Sequence, residues 1–236
     1  MTGGRAIALA EVMDGPCDER RLFATYRHFA LANRVVSGWR RVYVTRLRPL
    51  LRNAGADAAA PVRLLDVGFG GGDIPRALAA WAAADRLPLA ITAVDPDERA
   101  LRFATLVRAG KGGAVRYLTA GAGELRAAGE RFDIVVSNHV LHHLGAAEVG
   151  PFLDETAALA TRLVLHDDIE RSRTAYGLWA VGALPFALDS YGHVDGLRSI
   201  RRSYTAAELA AVVPAGWAVE RAFPWRLILT AVPTEE

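Results

Sequence analysis

Cysteine and lysine are almost missing from this chain. Cys17 is the only cysteine among 236 residues, which excludes an intramolecular disulfide and a cysteine-based zinc site. Lys111 is the only lysine; the other basic residues are arginines, a bias that with abundant alanine reads as genomic base composition. Neither sign of charge is in excess: 28 basic and 26 acidic residues leave +2, which gives no case for a nucleic-acid or membrane partner. Long apolar runs are lacking too. The longest, Ala175–Leu188, contains glycine and Pro185 and is too short to span a bilayer. Glu11 and Asp14 interrupt any signal-peptide pattern, so a cytoplasmic protein is expected. What is present is an apolar content of 52%, ample for one globular domain with some additions.

The hydrophobic pattern changes period along the chain. Residues 18–52 repeat at helical spacing (Leu22, Phe23, Tyr26, Phe29, then Val35, Trp39, Val42), with Gly38 weakening or dividing the second stretch. A small-residue linker follows at 53–60. Strand and helix patterns then alternate: strands at 62–66, 89–94, 115–119, 132–137 and 162–165, and helices at 73–84, 97–108 and 146–160. This rhythm predicts an open, mostly parallel α/β sheet with helices on both faces. Two strands at 217–223 and 227–232 are joined too tightly for a crossover and are expected to pair antiparallel. An aromatic insert at about 169–203 precedes a capping box at Thr205 and Glu208. The expected organisation is a helical extension or lid over 1–60 and a core over 61–236 that carries a helical lid insert.

The chemistry gathers at strand ends, where open α/β sheets bind ligands. Strand 62–66 runs into Asp66, and glycines follow at Gly68, Gly70 and Gly72 before a helix starts at Asp73. Glycine lets a ligand approach the backbone, and the helix start offers free N–H groups. The dinucleotide fingerprint G-x-G-x-x-G fails here, because Asp73 stands where the third glycine belongs. An acid before the glycines suits a ligand bearing an ammonium group. Asp95, followed by Pro96, ends the second strand and can accept both ribose hydroxyls. Asp97 fits the cap of the next helix.

The run Asp66-x-Gly68-x-Gly70-x-Gly72 resembles motif I of the class I S-adenosylmethionine-dependent methyltransferases. The run Phe132-Asp133-Ile134-Val135 to Leu141-His142-His143-Leu144 is very similar to the family's motif IV. The match is good over roughly 62–168, loose over the C-terminal hairpin and slight over the N-terminal helices. The resemblance implies a Rossmann-like, seven-stranded, mostly parallel sheet with a C-terminal antiparallel hairpin. It implies S-adenosylmethionine as cofactor, held by Asp66, Gly68, Gly70, Gly72, Asp95, Pro96 and Asn138. In the family an acid often reaches the adenine after the third strand; Gly121 stands there, and the backbone around Ala122 is expected instead. The N-terminal segment and His166-Asp167-Asp168 are similar to bacterial polyketide and quinone tailoring methyltransferases.

That resemblance implies methyl transfer to a small apolar acceptor, aromatic or polyketide-like, at a phenolic or enolic oxygen, as part of secondary metabolism. C-methylation of a quinol-type ring and a binding-only protein of the same fold are the alternatives. A phenol or enol must lose its proton, and histidine suits that task near neutral pH. His139, directly after the fourth strand, and His166, beside Asp167 and Asp168, are the candidate bases. Tyr26, Trp39, Trp179, Tyr191 and His193 are the candidate acceptor contacts; core packing is the competing reading of these aromatics. No metal site is expected. Nucleic-acid methylation is disfavoured, because Ser137-Asn138-His139-Val140 lacks the Pro-Pro-aromatic signature and no basic tail is present.

Overall fold

The computed structural model describes residues 4–53, 60–108 and 115–233, so most of the expected linker at 53–60 lies outside the described residues. Helix α1 (Glu19–Val36) starts where the Asp18 carboxylate accepts the Arg21 N–H, and it buries Leu22, Thr25 and Tyr26. Gly38, at φ +72°, ends that direction, which no side-chain-bearing residue does cheaply. A second helical run follows: α2 (Trp39–Val42), a π-helical turn at Tyr43–Leu47 and α3 (Arg48–Asn53).

Beyond them, β1 (Val62–Val67), α4 (Asp73–Ala84), β2 (Leu89–Asp95), α5 (Glu98–Arg108) and β3 (Val115–Thr119) alternate. Next come α6 (Ala122–Ala127), β4 (Phe132–Asn138), α7 (Ala146–Leu159) and β5 (Ala160–Ile169). The insert folds as α8 (Arg173–Gly182), a 3-10 turn at Leu184–Ala187 and α9 (Gly192–Arg202). Helix α10 (Ala206–Ala210) then opens on the Thr205–Glu208 capping box, and β6 (Ala218–Ala222) and β7 (Arg226–Ala231) complete the sheet.

The seven strands form one sheet in the order β3-β2-β1-β4-β5-β7-β6. Strands β1 to β5 pair parallel, and β7 runs antiparallel between β5 and β6. Strands β1, β4 and β5 are buried along nearly their whole length because helices cover both faces. The strand order reverses between β1 and β4, the switch point at which such sheets bind ligands. Two details differ from expectation. The fifth strand does not stop at Leu165. It continues to Ile169, because β7 pairs with it as far as Ile169 opposite Arg226. Helix α6 was unread, since its Ala-Gly-rich sequence has no clear apolar period. Among the described residues, no helix is long and apolar enough to cross a membrane.

Residues 5–14 form a strap across the C-terminal ends of the strands. Arg5 donates to the Arg202 and Leu144 carbonyls and lies 3.3 Å over the Tyr204 ring. The Asp195 carboxylate on α9 accepts the Val12 and Met13 N–H groups. Arg99 on α5 donates to the Met13 and Gly15 carbonyls.

Candidate cofactor and acceptor site

A cavity of about 730 Å³ lies over the β1–β4 switch point. Three elements enclose it: the strand-end loops below, α1 and the strap on one side, and α8 with the β6–β7 turn on the other. Its two ends differ in chemistry.

The first end is lined by carboxylates. Asp66 closes β1, is 1% exposed, and its Oδ1 has no hydrogen-bond partner. Burial, with Asp73 and Asp95 nearby, pushes its pKa up to about 8. Asp95 closes β2; its two oxygens accept the Gly70 and Asp97 N–H groups at 2.8 and 2.9 Å. Burial raises the Asp95 pKa as well. Asp73 opens α4 and accepts an N–H from Asn33. Gly68, Gly70 and Gly72 all have positive φ, and a Cβ on Gly68 would lie 2.7 Å from Val140 Cγ2. The loop therefore packs its backbone where side chains cannot fit. Three clustered acids, Asp66 buried and Asp73 and Asp95 half-buried, disfavour a pyrophosphate and suit a cation. An unpartnered acceptor at Asp66 matches the ammonium of an amino acid, and Asp95 matches a ribose diol. This donor and acceptor set fits S-adenosylmethionine.

The second end is apolar. Phe29, Ala32 and Val36 of α1 face Leu178, Trp179 and Ala183 of the insert, and Pro224 and Trp225 close it. Its polar terminus is Arg226, the first residue of β7, 2% exposed. The guanidinium donates from Nε to Asp167 Oδ1 at 2.8 Å and from Nη2 to Asn138 Oδ1 at 2.9 Å. Its Nη1 lies 2.7 Å from His139 Nε2. A guanidinium has only donors, so Nε2 accepts and the imidazole proton sits on Nδ1. Burial and the Arg226 charge hold His139 well below its ordinary pKa. Burial raises Asp167 to about 6, against the pull of Arg226.

The candidate residues separate on this geometry. Asp66, Gly68, Gly70, Asp95, Pro96, Asn138, His139, Tyr26 and Trp179 all line the cavity. Gly72 shapes the loop from behind, where a Cβ would meet Arg76 and Tyr117 at 2.9 to 3.0 Å. Ala122, the first residue of α6, is packed in the core and does not line the cavity; Met13 and Asp14 of the strap do. Trp39 is buried behind the cavity wall and does not line it; its indole N–H donates to Asn138 Oδ1 at 3.0 Å. Tyr191 and His193 face the outer side of the insert: the Tyr191 hydroxyl accepts the Asp18 N–H, and His193 bonds the Ala180 carbonyl.

One of the two proposed bases needs correction. Strand alternation turns His166 under α7, where Ser137 Oγ and Thr156 Oγ1 take its two ring nitrogens and Trp217 stacks on it. Burial lowers its pKa to about 3, and it does not reach the cavity. His139 is in place, but its Nε2 already receives a guanidinium proton. Arg226 escaped notice because nothing near it in sequence marks a site; only the β5–β7 pairing brings it beside Asp167 and Asn138.

A second cluster went unread. His142 is bracketed by Asp168 Oδ1, 2.8 Å from Nδ1, and Glu11 Oε1, 3.2 Å from Nε2. Burial lowers its pKa, but the two carboxylates outweigh that and raise it to about 9. Two overlapping groups, Glu11 with His142 and His143, and His139 with His142 and Asp168, are tight enough for a metal ion; Asp168 takes His142 Nδ1, while Nε2 lies near Glu11 without a hydrogen bond. His143 and Arg202 hold Asp14 in the same way, at 3.3 and 3.2 Å.

Residues 65–161 match the family model described as a methyltransferase domain. The ubiquinone biosynthesis O-methyltransferase of Methylobacterium sp. (strain 4-46) is 33% identical over 132 residues, 55% of this chain and 49% of that protein. The protein of the same name from Caulobacter sp. (strain K31) is 34% identical over 125 residues, 52% of this chain and 46% of its own. The chain thus spans about half the length of the curated relatives it matches. The structure of the plantazolicin methyltransferase BpumL with a triazolic desmethylPZN analog and SAH aligns over 92% of this chain and 96% of that one. Its TM-score is 0.60 at 11% identity, a likeness of fold. The chain thus carries a methyltransferase domain within a seven-stranded, mostly parallel sheet closed by an antiparallel hairpin, as its resemblance to the class I S-adenosylmethionine-dependent methyltransferases implies.

Proposed function

We propose that the chain transfers a methyl group from S-adenosylmethionine to an oxygen of a small, apolar acceptor of aromatic or polyketide-like character. One observation carries the reading: a single cavity joins a carboxylate-lined end, where Asp66 keeps an unpartnered oxygen, to an apolar end that stops at Arg226 and His139. The names of the two ubiquinone-pathway relatives support oxygen as the atom methylated.

Bound at the carboxylate end, S-adenosylmethionine supplies a methyl group on a cationic sulfonium. That group is already activated, so the protein's tasks are alignment and exclusion of water. Asp66 holds the ammonium and Asp95 the ribose hydroxyls, using lone pairs that the Gly70 and Asp97 N–H groups leave free. Phe29, Trp179 and Trp225 give a flat acceptor an apolar wall. Arg226, with the Nδ1–H of His139, favours the ionised oxygen of that acceptor, whose proton passes to water. No histidine base is then required.

Calorimetry with S-adenosylmethionine and with NAD tests the cofactor. Heat with NAD and none with S-adenosylmethionine overturns the proposal. Turnover of methyl-labelled cofactor against phenols and quinols, with the product located by mass spectrometry, tests the acceptor. A label found on ring carbon identifies C-methylation, and tight cofactor binding without turnover identifies a binding protein.

A further inference from the structure

The net charge of +2 conceals a strong segregation. Residues 19–53 contain nine arginines and one acid, Glu19, so the helical extension carries +8 and the remainder of the chain is acidic. On α1, Arg20, Arg27, Leu31 and Arg34 follow one another at spacings of seven, four and three, and Val35 lies four residues after Leu31, which places them on one stripe. That stripe is exposed; Leu31 and Val35 are 54% and 79% accessible. Among the described residues, Arg20, Arg27 and Arg34 pair with no carboxylate, although ten other arginines do.

The insert supplies the complementary half. Its segment 173–188 contains one charged residue, Arg173. It exposes Leu178, Val181, Leu184 and Leu188, and Leu178 also lines the cavity. Val36 lines the same opening from α1, and the exposed Val35 precedes it on the helix. Apolar side chains of α1 and the insert thus line the acceptor end of the cavity from both sides, with arginines that pair with no carboxylate on the same helix α1.

We infer that the exposed stripe of α1 and the apolar rim of α8 and the following turn dock on an anionic lipid surface, from which an apolar acceptor passes into the cavity. Charge complementarity selects this occupant. A second copy docked face to face would bring the same unpaired arginines together. A nucleic acid has no use for four exposed aliphatic side chains on a segment nearly without charge. The inference rests on the proposed function only in requiring that the cavity admits an apolar molecule.

Co-sedimentation of the full chain with phosphatidylcholine vesicles, with and without phosphatidylglycerol, tests it. Binding is expected only with phosphatidylglycerol, weakened by salt. Arg27→Glu with Arg34→Glu, and separately Val181→Asp with Leu188→Asp, are each expected to weaken it about tenfold or more. These residues lie outside the cavity, so S-adenosylmethionine binding by calorimetry stays unchanged and certifies folding. Loss of cofactor binding in the unmodified chain would count against the proposed function, independently of the vesicle result. Three outcomes overturn the inference: no binding to anionic vesicles; binding that survives either double variant; or a concentration-dependent dimer, or binding to a single-stranded oligonucleotide, abolished by the same variants in place of vesicle binding.

Discussion

Arg226 Nη1 and His139 Nε2 are 2.7 Å apart, and this contact decides what the histidine can do. Protonating Nε2 would set two cations against each other inside a buried site, so His139 stays neutral with its proton on Nδ1. Removing the guanidinium removes both constraints. In Arg226→Gln, the His139 pKa is expected to rise toward the ordinary value of about 6.5, measurable by imidazole NMR titration. Turnover is expected to fall roughly 10²-fold or more, as on losing an oxyanion donor. Arg226→Lys restores charge without the planar fork and should recover only part of the rate. A fully active Arg226→Gln would remove Arg226 from the reaction.

Asp66 couples cofactor affinity to pH. With its pKa raised to about 8, the side chain is largely protonated at neutral pH, and pairing with an ammonium group requires it to ionise. Cofactor binding near pH 7 is therefore expected to release a proton and to tighten as pH rises toward 8. Calorimetry in two buffers of different ionisation enthalpy counts that proton. Asp66→Asn should abolish the release, and Asp95→Ala should weaken binding by about tenfold or more (roughly 1.4 kcal/mol). An unchanged proton count in Asp66→Asn would show that another group is responsible.

The cofactor end was legible in the sequence because its signals are local. An acid at a strand end and glycines of positive φ are read from ten consecutive residues, and Asp95 ends the next strand. The acceptor end was legible only as a region, for its polar residues meet through pairing. Arg226 reaches Asp167 and Asn138 because β7 is inserted antiparallel beside β5, and Glu11 meets His142 because the strap crosses the sheet. Neither contact leaves a spacing to read. His166 misled for the opposite reason. It stands beside two acids in sequence, but a strand turns neighbours to opposite faces, and its partners are Ser137 and Thr156.

His166 should matter to stability and not to turnover. Its folded pKa of about 3 lies below the unfolded value of about 6.5. The unfolded chain takes up a proton that the folded chain refuses, so stability is intact above pH 6.5 and declines as pH falls toward 3. His166→Gln is expected to flatten that acid limb in denaturant unfolding while leaving the turnover rate at pH 7.5 unchanged. A large loss of kcat with unaltered cofactor binding would return His166 to the list of bases.

His142 has the opposite sign. Its folded pKa of about 9 lies above the unfolded value, so the charged imidazole between Glu11 and Asp168 stabilises the fold fully below pH 6.5. That contribution is lost as pH rises from 6.5 through 9. Denaturant midpoints of the unmodified chain should fall over this interval. In His142→Asn the dependence should flatten, at a cost of about 3 kcal/mol or more at pH 6.5, because two buried carboxylates lose their cation. Glu11→Gln separates the strap from the rest of the cluster. Asp168 still holds the imidazole, so the alkaline limb should shrink without vanishing, and the peptide bonds at 5–14 should become more sensitive to protease. A strap as resistant in Glu11→Gln as in the unmodified chain would show that Arg5, Asp14 and Asp195 hold it unaided.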